Sequence, residues 1–171
     1  MPKHGGNIYQ TPECSAEWLD FSANINPFGV PETVQHAIQR AVAALVHYPD
    51  PAQQKLRQAL AEYLSEYRGV QCGPHQIVVG AGLEYLLGLL APLLPGPAAV
   101  ETPGYPRALQ VLQNNGVHCC CLPVDEDGLS VEALNRSDAA VCYVTPSHQF
   151  PTGVTMPAGR RAELLHWAAR R

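Results

Sequence analysis

Apolar residues in the first third of the chain recur every three or four positions, the period of an amphipathic helix. Val34, Ile38, Val42 and Leu45 share one stripe, and Pro31 suits a first helical turn, so a helix is expected over 31–46. His47-Tyr48-Pro49-Asp50-Pro51 breaks it. Leu56, Leu60, Tyr63, Leu64 and Tyr67 form a second stripe over 52–68, and Gly69 follows as a natural C′ residue. From Gln76 the pattern changes. Short apolar runs at 76–79, 98–101, 117–122 and 139–144 read as buried strands. Between and after them lie helical segments at 83–94, 107–115 and 157–171, a turn at 125–128 and a short helix capped by Ser130. Such alternation builds right-handed βαβ units. The expected fold is therefore α/β, a three-layer α/β/α arrangement with a mainly parallel sheet. No internal repeat or low-complexity stretch interrupts it.

Length and charge narrow the picture without deciding it. The 171 residues suffice for one domain with a sizeable core. A net charge of −4 points to neither nucleic acid nor an acidic membrane surface as partner. No apolar stretch is long enough to span a bilayer, and residues 1–10 lack a charged-then-apolar leader, so a cytoplasmic location is expected. The six cysteines form no C-x-x-C pair. Cys119, Cys120 and Cys121 are consecutive in a strand and alternate between its faces, so they cannot jointly hold one ion. With Cys14, Cys72 and Cys142 they are expected to be reduced and packed as small apolar side chains.

Candidate chemistry lies where strands end. The run at 139–144 stops at Thr145-Pro146 and opens into Ser147-His148-Gln149-Phe150-Pro151-Thr152-Gly153. Loops at the carboxyl ends of strands are where open α/β sheets hold ligands, although the same residues could form a plain surface connection. Gly80-Ala81-Gly82 precedes the helix expected from Leu83. It is either a tight turn or a phosphate cradle, with free amides and a positive dipole end aimed at the ligand. There is no G-x-x-x-x-G-K-[ST] sequence, so a nucleotide P-loop is excluded. Tyr105, after Thr102-Pro103-Gly104, could be core or could stack on a flat ligand. Near the start, Asn24-Ile25-Asn26-Pro27 is turn chemistry, either in a plain arm or in one that folds over a ligand.

The strings themselves resemble a known family. Pro-Thr-Gly after a strand and a Pro-x-His loop resembles the cofactor loop of fold-type I pyridoxal-phosphate enzymes, the aspartate aminotransferase superfamily. The spelling TPSHQFPTG most resembles the aminotransferase-like domain of MocR-type proteins. FSANINPFG, with HGGNIYQ before it, resembles the start of histidinol-phosphate aminotransferases and threonine-phosphate decarboxylases.

The resemblance implies an aspartate-aminotransferase-like large domain that binds pyridoxal 5'-phosphate. Gly82, Leu83 and Glu84 would hold its phosphate, mainly through backbone N–H groups, and Tyr105 would stack on the pyridine. Tyr48, in YPDP, would reach the phosphate of a neighbouring subunit, which implies a homodimer; simple helix-end packing is the other reading of that tyrosine. The arm with Asn24 and Asn26 would help close the site over a small-molecule amino acid substrate. Phe150 stands where the superfamily loop has an asparagine bonded to the pyridine 3-oxygen, so His148 or Gln149 would supply that contact.

The superfamily's Schiff-base lysine, its aspartate at the pyridine nitrogen and its substrate-carboxylate arginine are expected beyond residue 171. Residues 1–30 then read as an N-terminal arm, and 31–171 as an incomplete, truncated cofactor-binding domain. Lys3 and Lys55 are the chain's two lysines, and neither is placed like that lysine, so the chain alone is expected to be inactive. The activity implied is amino-group transfer from an amino acid through an external aldimine. The alternatives are a threonine-phosphate decarboxylase-like lyase, the ligand-sensing domain of a MocR-type regulator (although no winged helix fits before His4), and a non-catalytic remnant.

Overall fold

In the computed structural model, which describes residue 21 and residues 23–171, a strand rich in alanine carries the fold. This strand, β1 (Ala98–Thr102), has a parallel neighbour on each side. On one side β2 (Cys119–Asp125) runs in register from Ala98 opposite Cys119 to Thr102 opposite Pro123. β3 (Gly128–Leu129) folds back antiparallel on the end of β2. On the other side of β1 lies β4 (Val141–Tyr143), with Ala98 opposite Val141 and Val100 opposite Tyr143. The order is β3-β2-β1-β4.

The period of two in β1 sorts its side chains into two cores. Ala98 and Val100 pack with Ala91 and with Leu112 of α4 (Pro106–Asn114). Ala99 faces the other way, among Leu122, Leu129, Ala139, Met156, Leu134 of α5 (Val131–Arg136) and Trp167 of α6 (Ala158–Ala168). Helices thus cover both faces of a mainly parallel sheet, the three-layer arrangement expected from the alternation. Ser130 caps α5, its Oγ accepting the Ala133 amide at 3.2 Å. Arg160 of α6 grips the β2–β3 hairpin, donating to both carboxylate oxygens of Asp125 at 2.9 Å and to the Leu129 carbonyl at 3.1 Å. Burial alone would raise the Asp125 pKa; Arg160 and the Asp127 amide outweigh it and hold the carboxyl below its usual range.

The chain divides into two compact units, one ending at Val78 and one spanning Val79–Arg171. The first contains α1 (Glu32–Ala41), which tightens into a 3₁₀ turn over Val42–Val46, and α2 (Gln54–Arg68). Gly69 closes α2 at φ +67°, the left-handed cap expected there. The stripe of Val34, Ile38 and Val42 is present but exposed, and Ala61 is the one buried residue among those described in this unit.

Several boundaries differ from the expected ones. No strand forms over 76–79; a 3₁₀ turn at Pro74–Gln76 and irregular chain stand there instead. A strand must pair its backbone with a neighbour, and the four-stranded order gives this segment none. The helix expected over 83–94 is α3 (Leu83–Leu90), followed by a 3₁₀ turn at Ala91–Leu93 where Pro92 has no N–H to continue the ladder.

The cysteines are unpaired where described: Cys119, Cys120 and Cys142 are half-buried, as expected, whereas Cys121 is exposed. Cys14, Lys3 and the string at 4–10 lie outside the described residues. Among the described residues no helix is long and apolar enough to cross a membrane.

Leu134 of α5 is fully buried in the core that also holds Trp167 of α6. Leu134→Ala should lower the stability of the second unit by about 2–5 kcal/mol, through lost transfer energy plus a cavity. A denaturant midpoint unchanged by the substitution would contradict this packing.

Candidate functional site

Two buried polar residues organise the carboxyl end of the sheet. Glu101, the last inward position of β1, is 5% exposed, and Gln149, on the loop after β4, is 1% exposed. A carboxylate removed from water must be met by donors. Thr145 supplies its hydroxyl at 2.5 Å and its amide at 3.2 Å, and the Gln149 side chain donates at 3.2 Å. The same Gln149 nitrogen donates to the Pro103 carbonyl at 2.8 Å, and the Gln149 side-chain oxygen accepts the hydroxyl and amide of Thr152. Arg161 of α6 closes the loop from behind, donating to the carbonyls of Met156 and Pro146 and to Ser147 Oγ. The Glu101 charge is felt nearby. Burial first and Glu101 second push the Cys142 thiol up to about 12, and the same causes raise the Tyr143 phenol.

The chain between β1 and α4 approaches its own backbone closely at Gly104, where a side chain would collide with the Glu101 carbonyl. Only glycine serves there. Tyr105 follows as the N-cap of α4, and its ring and that of Phe150 meet in a T-shaped pair with centroids 6.0 Å apart and planes at 88°. The loops after β1 and β4 are therefore joined at Glu101, Pro103 and Tyr105.

The third element is the start of α3. Gly82 is its N-cap at φ +91°, ψ 175°, a region that residues with a β-carbon avoid. The space where a β-carbon would stand is open. The first helical bond runs from the Leu86 amide to the Gly82 carbonyl, and the Gly82 amide donates to the Gly80 carbonyl at 2.8 Å, closing the turn that enters the helix. Glu84, in that turn, receives two hydrogen bonds from Arg107 of α4, at 2.8 and 2.5 Å. The Glu84 carboxylate raises the Arg107 pKa, first through these bonds and then through its charge. The start of α3 is thereby tied to the start of α4, two residues beyond Tyr105.

The residues singled out in the sequence are thus placed as follows. Gly82, Leu83, Glu84, Tyr105 and His148 all belong to the second unit; His148 is exposed at φ +56° between Ser147 and the buried Gln149. Tyr48, Asn24 and Asn26 belong to the first unit. Tyr48 is 99% exposed, Asn24 is exposed, and Asn26 closes its own turn with the Phe28 amide and the Gly29 carbonyl. Sequence reasoning passed over Glu101, Thr145 and Arg107. A lone acid ending the apolar run Ala-Ala-Val-Glu-Thr was the available signal, because acids are seldom buried without partners.

Residues 16–171 match the family model described as Aminotransferase class I and II. The chain belongs to this family. An uncharacterized HTH-type transcriptional regulator of Bacillus subtilis, YdeL, is 41% identical over 177 residues, covering 95% of this chain and 37% of that protein. A protein of Caldanaerobacter subterraneus subsp. tengcongensis, by name a threonine-phosphate decarboxylase, is 33% identical over 161 residues, covering 88% and 40%. Histidinol-phosphate aminotransferase from Sinorhizobium meliloti, solved with pyridoxal-5'-phosphate, superposes with a TM-score of 0.70 at 29% identity, over 84% of this chain and 39% of that one. The resemblances carried by TPSHQFPTG and FSANINPFG are borne out. The chain spans less than half the length of each of these proteins.

The open space at Gly82 makes backbone geometry, rather than crowding, the obstacle to substitution. Gly82→Ala should cost roughly 1–3 kcal/mol through strain at positive φ. A denaturation midpoint equal to the parent's would show that α3 starts elsewhere.

Proposed function

We propose that the second unit holds pyridoxal 5'-phosphate, with the phosphate at the start of α3 and the ring against Tyr105. The observation that carries this reading is the link between those two places. Glu84 and Arg107 fix the open N-terminus of α3 beside the start of α4, at the carboxyl ends of parallel strands. The amides of Gly82, Leu83 and Glu84, with the helix dipole behind them, suit a phosphate dianion, for which the Gly82 amide would exchange its present partner, the Gly80 carbonyl at 2.8 Å. The positive φ at Gly82 and the open space beside it fit a group that needs close backbone approach. Arg107 offsets the carboxylate that Glu84 brings into this turn. Tyr105 offers a face for stacking on a flat ring. Of the two side chains considered for the ring oxygen, Gln149 is committed to protein partners, which leaves the role to the exposed His148.

In the whole protein the proposed activity is amino-group transfer from an amino acid. Pyridoxal phosphate supplies the electron sink for such chemistry, and the protein supplies binding, orientation and exclusion of water. The proposal extends to a cytoplasmic homodimer in which Tyr48 serves the partner's phosphate and Asn24 and Asn26 lie on the substrate side. A second reading has specific support. The 41% identity to an HTH-type regulator extends over 95% of the chain, which favours a sensor domain that binds cofactor and amino acid to change DNA binding. Threonine-phosphate decarboxylation is the lyase variant, supported by the 33% identical relative.

The test uses the full-length protein, titrated with pyridoxal phosphate and then offered amino acids and 2-oxo acids. Saturable cofactor binding with amino-group turnover supports the transferase. Binding without turnover, joined to an amino-acid-dependent change in DNA affinity, supports the regulator. Absence of saturable cofactor binding contradicts both.

A further inference from the structure

Gln149 sits in an unusual environment for a glutamine. It is almost fully buried, on a loop, between His148 and Phe150, both of which face solvent. A buried amide is costly unless each of its polar atoms finds a partner, and its capacity is two donors and two acceptor lone pairs. Here all are used. The side-chain nitrogen donates to Glu101 Oε2 at 3.2 Å and to the Pro103 carbonyl at 2.8 Å. The side-chain oxygen accepts the Thr152 hydroxyl at 2.6 Å and its amide at 3.2 Å. Its backbone also closes the loop, with the Gln149 amide donating to the Val154 carbonyl at 2.8 Å and its carbonyl accepting from Gly153 at 2.6 Å.

These partners lie on both loops of the site. The Pro103 carbonyl is two residues before Tyr105, and Phe150, next to Gln149, meets the Tyr105 ring in the T-shaped pair. One side chain therefore connects the segment that carries Tyr105 to the segment that carries His148. Glu101 stands beneath it as an acceptor already held by Thr145.

We propose that Gln149 is a positioning residue of the site, fixing Tyr105 and His148 relative to each other and so setting the gap into which a flat ring fits. This rests on the cofactor-binding reading above. Gln149 itself touches no ligand; it acts through the Pro103 carbonyl and the Phe150–Tyr105 contact.

The test is a double-mutant cycle in the full-length protein, using Gln149→Leu, Tyr105→Ala and the pair. Pyridoxal phosphate affinity is read by absorbance titration, the environment of the bound ring by its induced circular dichroism, and folding by thermal melting. Gln149→Leu should weaken affinity by about three- to tenfold, the scale of one lost hydrogen bond or ring contact, and should change the induced band. In the Tyr105→Ala background the same change should shift affinity by less than about twofold, because coupled residues are not additive. Additive losses overturn the proposal, as does a lower melting temperature with unchanged affinity and band. If Gln149→Leu does not fold, Thr152→Val replaces it, removing the hydroxyl that donates to the Gln149 oxygen at 2.6 Å and accepts the Val154 amide at 3.3 Å. It should move the band in the same direction by a smaller amount, and an unchanged band overturns the proposal. A parent that does not bind pyridoxal phosphate overturns the functional reading along with it, whereas a binding parent with additive losses overturns the positioning role alone.

Discussion

A carboxylate buried at the end of a parallel strand constrains everything around it. Taking such a group out of water costs several kcal/mol unless donors replace the water, and an orphaned one is worse than no charge at all. Glu101 meets this demand with the hydroxyl and backbone amide of Thr145 and the side-chain amide of Gln149. Those donors lie on the segment after β4, so that segment cannot swing away without stranding the charge. The segment after β1 is fixed in turn, because Gln149 also holds the Pro103 carbonyl. The raised pKa values of Cys142 and Tyr143 follow from burial and the same charge, and keep both side chains neutral near neutral pH. Cys142 is accordingly a packing residue, since the thiolate is the reactive form.

The start of α3 poses a different problem, the positive end of a helix dipole. Its amides and dipole favour an anion, and the sequence puts Glu84 in the first turn, where a carboxylate is itself favourable. Arg107 then takes that carboxylate in two hydrogen bonds. The pairing joins α3 to α4 and offsets the charge that would repel a phosphate. At Gly82 the demand is on backbone conformation, at Gly104 on space, and glycine answers both.

Much of this was legible in the chain. Alternating runs predicted the three layers, and the alternation of Ala98, Ala99 and Val100 between two cores is the period of two made visible. Gly69 and Ser130 ended and began their helices as their chemistry requires. The strand expected at 76–79 was not legible, because apolar β-formers state a preference and pairing needs a partner elsewhere. The loop motif marked a candidate, but composition could not say which of His148 and Gln149 faces inward. That depended on Glu101, forty-eight residues earlier. Long-range polar matching of this kind leaves no local period, and the lone acid of the β1 run was its only trace. The exposed apolar stripe on α1 shows the same limit from the other side, since periodicity marks a face without naming what covers it.

The central claim is that the start of α3 and the loops after β1 and β4 form one site for a phosphorylated ring. The most direct measurement is a crystal structure of the full-length protein with pyridoxal phosphate. The account predicts the phosphate on the amides of Gly82, Leu83 and Glu84 and the ring on Tyr105, with Gln149 still bonded to the Pro103 carbonyl. A ring bound away from Tyr105, or a Gln149 amide turned from Pro103 onto the ligand, would contradict it.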